Sequence, residues 1–194
     1  MRWPAKLSAI SLTMEVSVRF FRNSTERLSE LLGITGRLTI FSLIAAMLYE
    51  VVARYVFGAP TLWAFDISYM LNGSIFLLGA AYSLRQDAHV RIDFLSQKFP
   101  LRVQQILNGL IYLLVMAPIF FAFTWVSGSK AIKALISGEV ESVSPWAPLV
   151  WPFYAVIAIG LFVFAMQFVV EALKYLSGER SPGDTDTELQ DLES

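Results

Sequence analysis

Apolar residues along this chain gather into four long runs, and the polar residues collect between them. The first run, Leu38 to Phe57 (LTIFSLIAAMLYEVVARYVF), stops at the turn formers Gly58-Ala59-Pro60. The second extends from about Trp63 to Leu84, the third from about Ile106 to Val126, and the fourth from about Val150 to Val170. Each is near the ~20 residues that an α-helix needs to cross ~30 Å of hydrocarbon. The pattern predicts an all-α membrane protein with four transmembrane helices, spans 38–57, 63–84, 106–126 and 150–170. Pro118 inside the third span predicts a kink, unless neighbouring groups satisfy the carbonyl it frees. Pro145, Pro148 and Pro152 shape the entry to the fourth span.

Two stretches outside the runs read as interfacial amphipathic helices. In the N-terminal segment 1–37, Asn23 followed by Glu26 resembles a capping box ahead of Leu28, Leu31 and Leu32. Between the second and third spans, SLRQDAHVRIDFLSQKFP alternates like a strand, but a lone strand at a membrane surface has nothing to pair with. As a connector helix it has Asp87 as N-cap and a stripe of Ala88, Ile92, Leu95 and Phe99. His89 and Asp93 then lie four apart on its polar face. The domain plan is a cytoplasmic segment 1–37, a transmembrane domain 38–173, and an acidic tail 174–194 whose composition predicts disorder.

Composition agrees with the pattern: 56% of residues are hydrophobic and 16% charged, against about a quarter charged in an ordinary globular domain. The net charge of −1 matters less than where the basic residues fall. Arg2, Lys6, Arg19, Arg22, Arg27 and Arg37 precede the first span. Arg85, Arg91, Lys98 and Arg102 lie between the second and third, and Lys174 and Arg180 follow the fourth. The opposite side has only Arg54, Lys130 and Lys133. By the positive-inside rule, both termini and the His89 loop are expected in the cytoplasm. No cleavable signal peptide is expected, because the first strongly apolar run starts late and is too long.

The chemistry on offer is sparse. The chain has no cysteine and a single histidine, so a zinc site built from His and Cys and a bis-histidine haem site are excluded. No catalytic residue, bound cofactor or metal site is expected. Charged groups within spans cost ~3 kcal/mol each at the helix centre, and three stand out: Glu50, Arg54 and Asp66. Glu50 and Arg54, four apart, share a helix face and can pair. Arg54 and Asp66 flank the external turn and can also meet, which would put one planar guanidinium between two carboxylates. Glu50 is then the neutralised partner of Arg54; the competing reading makes it a proton or cation site. Gly79 and Ser83 form a small-xxx-small pair that admits a close helix. Trp63 sits where an interfacial anchor belongs. Asn72, Asn108 and Gln167 read as interhelical hydrogen-bonding groups.

These elements, in this order, resemble one family. RYVFGAPTLWAFD followed by LLGAAYSLRQDAHVRIDFLSQKFP is similar to the small membrane subunit, DctQ-like, of tripartite ATP-independent periplasmic (TRAP) transporters. The residues that carry the likeness are Arg54, Pro60, Trp63, Asp66, Gly79, Ala80, Ala81, His89, Asp93 and Pro100. Asp66 departs mildly, since the family more often has Glu there. The resemblance covers about residues 35 to 175. It implies a small scaffold subunit, not an enzyme, of a sodium-driven, binding-protein-dependent importer of organic acids in a bacterial inner membrane. Its implied partners are a large multi-span permease, which would carry substrate and sodium, a periplasmic substrate-binding protein, and membrane lipids; nucleic acid is not among them. The alternatives are a stand-alone small multidrug-type exporter using Glu50, and a membrane anchor of a redox enzyme, which the single histidine disfavours.

Overall fold

The computed structural model describes residues 5–85 and 100–178, and the expected connector helix with His89 and Asp93, and the tail beyond residue 178, lie outside them. The described residues form four helices: α1 (Ala5–Tyr55), α2 (Ala64–Arg85), α3 (Leu101–Ser137) and α4 (Trp151–Ser177). All four are long and apolar enough to cross a membrane. The chain is an all-α, multi-pass membrane protein.

Helix α1 corrects one expectation. The N-terminal amphipathic element is not a separate helix, and Asn23 does not begin one: residues 5 to 55 form a single rod. No proline interrupts it, and its two glycines are used for packing. A Cβ on Gly33 would lie 2.8 Å from the Tyr82 ring, and one on Gly36 would lie 3.8 Å from Leu78. Contact with α2 through these positions offsets the ~1 kcal/mol by which glycine disfavours a helix. The 36 residues from Phe20 to Tyr55 extend ~54 Å at 1.5 Å per residue, well beyond the ~30 Å of hydrocarbon. The rod ends at Gly58, whose φ of 61° lets the Ala59 N–H turn back to the Ala53 carbonyl at 2.9 Å.

Helix α3 also outruns its apolar stretch, spanning 37 residues. Ahead of Pro118 the helix widens into a π turn over Tyr112–Met116, and the Ala117 N–H bonds to the Tyr112 carbonyl five residues back. Proline cannot donate, and its ring clashes with the carbonyl four residues earlier. Adding one residue to the turn relieves that clash without ending the helix. At its far end Gly138, at φ 64°, stops α3. The connection then folds back on itself: Val140 pairs with Leu149, and Glu141 N–H meets the Pro148 carbonyl at 2.9 Å.

Helix α4 is the centre of the molecule, in contact with α1, α2 and α3, while α2 is wedged between α1 and α4. Ala81 and Leu84 of α2, Ala117 of α3, and Val163, Phe164 and Phe168 of α4 make the buried core. Phe120 of α3 stacks on Phe168 at 5.3 Å and meets Phe164 edge-on at 4.7 Å. Gly160 permits the approach of α4 to α2, since a Cβ there would come within 3.1 Å of Leu77 and 3.2 Å of its backbone. Gly160 is therefore a small residue that brings α2 and α4 together. Around Gly79, by contrast, nothing among the described residues lies within 4 Å of where a Cβ would be, so no described helix packs closely over that position.

Candidate functional site

Polar side chains inside the helical array collect at its two ends. At the end where α1 turns into α2, Glu50 and Arg54 are one helical turn apart, and the Arg54 Nε donates to Glu50 Oε1 at 2.8 Å. The other oxygen, Oε2, accepts the Thr61 N–H at 3.0 Å and the Thr61 hydroxyl. Glu50 thus ties the end of α1 to the chain just past the Gly58–Pro60 turn, with both oxygens occupied. It is buried, while about half of the Arg54 side chain remains exposed.

The expected bridge from Arg54 to Asp66 is absent among the described residues. Asp66 instead accepts the hydroxyl hydrogen of Ser144, which lies 78 residues away in the folded connection before α4. The Ser144 oxygen in turn accepts the Trp146 N–H at 3.1 Å. Asp66 occupies the first turn of α2, where the helix dipole favours an anion without any cation. Trp63 stacks on Tyr49 with ring centroids 5.7 Å apart. Lys130 of α3 lies over the Tyr154 ring at 4.4 Å.

At the opposite end a second network joins α1 to α4. The Ser29 hydroxyl donates to Gln167 Oε1 at 3.0 Å, and Gln167 Nε2 donates to Glu171 Oε1 at 3.0 Å. Lys174 reaches Glu171 at 3.2 Å and Glu26 at 2.6 Å. Ser29, Gln167 and Glu171 are all but fully buried. Of these only Gln167 was marked by its position within an apolar run. The signal for the others was the spacing of Gln167, Glu171 and Lys174 along one face of α4, matched by Glu26 and Ser29 on α1. Both networks join helices, and among the described residues no three His, Asp or Glu side chains are grouped to hold a metal ion.

Residues 43–178, more than two thirds of the chain, match the family of tripartite ATP-independent periplasmic transporters, DctQ component. The chain belongs to the DctQ family. The matching stretch takes in the whole Glu50–Arg54–Thr61 and Asp66–Ser144 end, and the α4 half of the second network. Glu26 and Ser29 lie ahead of it.

Among similar proteins, the sialic acid TRAP transporter permease protein SiaT of Haemophilus influenzae (strain 86-028NP) is 32% identical over 94 residues, 48% of this chain. The sialic acid TRAP transporter small permease protein SiaQ of Vibrio cholerae serotype O1 (strain ATCC 39315 / El Tor Inaba N16961) is 29% identical over 59 residues, 30% of this chain. The matched stretches span 15% of SiaT and 34% of SiaQ. For a DctQ component, polar groups engaged in holding helices together accord with a part in transport.

Proposed function

We propose that this DctQ component is the small scaffold subunit of a sodium-driven, binding-protein-dependent importer of an organic acid. It holds a large multi-span permease subunit in the bacterial inner membrane and carries no substrate or sodium itself. A periplasmic binding protein delivers the substrate, and lipid covers the remaining helix surface. Both termini lie in the cytoplasm, a reading that the distribution of Arg and Lys supports. The observation that carries the scaffold reading is the state of Glu50. Its two oxygens are taken by Arg54 and Thr61, so the one carboxylate a small exporter would use serves as a tie in this chain. Two relatives named for sialic acid, itself an organic acid, support the substrate class.

Reconstitution in liposomes tests this. The chain alone is expected to give no sodium-driven uptake and no drug export. The chain with its permease and binding protein is expected to give sodium-dependent uptake of an organic acid. Transport by the chain alone, or drug tolerance lost on Glu50→Gln, would overturn the proposal.

A further inference from the structure

The side chain of Asn72, in the transmembrane array, has no hydrogen-bond partner among the described residues. Asn72 is the ninth residue of α2, ~12 Å along the helix from its start at 1.5 Å per residue, which places it near mid-bilayer. It is exposed, and among the described residues its amide has no hydrogen bond. Gln167 of α4, by contrast, is buried and bonded on both sides. Hydrocarbon offers an amide no partner, and an unsatisfied polar group there costs several kcal/mol. Lipid therefore does not suit the surface around Asn72.

That surface is concave. Asn72 lines a groove of about 530 Å³ between α1 and α2, together with Leu43, Met47, Phe65 and Tyr69. Its outer end is closed by the half-exposed Arg54 on Glu50. Ser68, also in the groove, donates only to the Met47 sulfur at 3.0 Å, a weak acceptor. A furrow with apolar walls, an amide at mid-depth and a guanidinium at the rim fits a helix bearing a narrow apolar ridge and one hydrogen-bonding side chain. A second copy of this chain fits poorly. A two-fold interface sets the same patch against itself, and two concave surfaces facing each other leave a void.

We infer that the α1/α2 groove is the seat of a transmembrane helix of the permease subunit, with an amide or hydroxyl of that helix bonded to Asn72. This rests on the proposed scaffold role and adds the face through which it is exercised. Substituting Asn72 by Leu is expected to speed subunit dissociation about three- to twentyfold, the span from the average to the strongest single interhelical hydrogen bond in membranes, whereas Asn72→Gln largely retains the complex.

The native chain has no cysteine, so single thiols report the face directly. In the intact two-subunit complex, Phe65→Cys and Tyr69→Cys, each carrying a photoreactive maleimide, are expected to give adducts with the permease. Phe123→Cys on α3, also exposed, supplies the background. Adducts only with lipid or with a second copy of this chain, from a complex that still co-purifies, would sink the inference and leave the scaffold reading standing. Failure of any permease to co-purify would end both.

Discussion

Gln167 joins two groups, receiving the Ser29 hydroxyl and donating to Glu171, which in turn holds Lys174. Changing it to Leu leaves a buried hydroxyl without its acceptor and a buried carboxylate without one donor. Unsatisfied groups of this kind cost about 1–3 kcal/mol, and hydrogen bonds between membrane helices average about 0.6 kcal/mol with a maximum near 1.7. The expected loss for Gln167→Leu is therefore about 1–2 kcal/mol, read as a lower midpoint in denaturation by SDS in mixed micelles, with Gln167→Val no milder. At this scale legibility follows separation along the chain. Glu50 and Arg54 are four residues apart, and helix geometry alone pairs them. Asp66 and Ser144 are 78 apart, and Ser29 and Gln167 are 138 apart, so only packing brings them together.

Among the elements, α3 carries the least regular backbone, and its π turn is there for a reason that can be tested. The wide turn acts as one added residue, which sets the rotation of the Leu101–Ile111 half relative to the rest of the helix. In that setting Tyr112 meets the Phe168 ring at 5.4 Å and the Tyr175 ring at 5.8 Å, both edge-on, and Gly109 lies against Leu176 and Ala172 of α4. Inserting an alanine after Leu114, an exposed residue inside the turn, would add a residue that the turn cannot absorb and rotate that half by ~100°. Its packing face would then leave α4. The insertion is expected to cost about 3 kcal/mol or more, whereas Leu114→Ala, which keeps the register, stays within about 0.5 kcal/mol. Equal losses from the two changes would argue that the turn sets no register. Pro118 made a disturbance foreseeable here. That it takes the form of a widened turn depends on α4 holding both halves of α3 in place.

For the molecule as a whole, the proposed orientation rests on the separation of basic residues along the chain. Val143 is 88% exposed in the connection before α4, and Leu101, half exposed, begins α3 at the opposite end. In intact cells a cysteine at Val143 is expected to react with an impermeant maleimide, and one at Leu101 to react only after the membrane is opened. The reverse pattern would invert the topology. Orientation also decides which network faces which compartment. In the proposed orientation the Asp66–Ser144 tie holds the external connection, and Glu26, Ser29, Gln167, Glu171 and Lys174 fasten the cytoplasmic end of α1 to α4. Through this second network the long N-terminal part of α1 acts as a rigid extension of the membrane domain and not as a separate surface element.

What the sequence determined by itself is whatever rests on length and local spacing. Four apolar runs match the thickness of a bilayer, the turn after Phe57 follows from Gly58 and Pro60, and the pairing of Glu50 with Arg54 follows from one helical turn. The tertiary structure decided the rest. It fused the N-terminal segment with the first span, because no residue between them breaks a helix and Gly33 and Gly36 seat it on α2. It gave the close approach at Gly160, gave Asp66 to Ser144 and not to Arg54, and left Asn72 without a hydrogen bond among the described residues. Each of these outcomes depends on which helix faces come together, a matter of contacts across many tens of residues that no local pattern encodes.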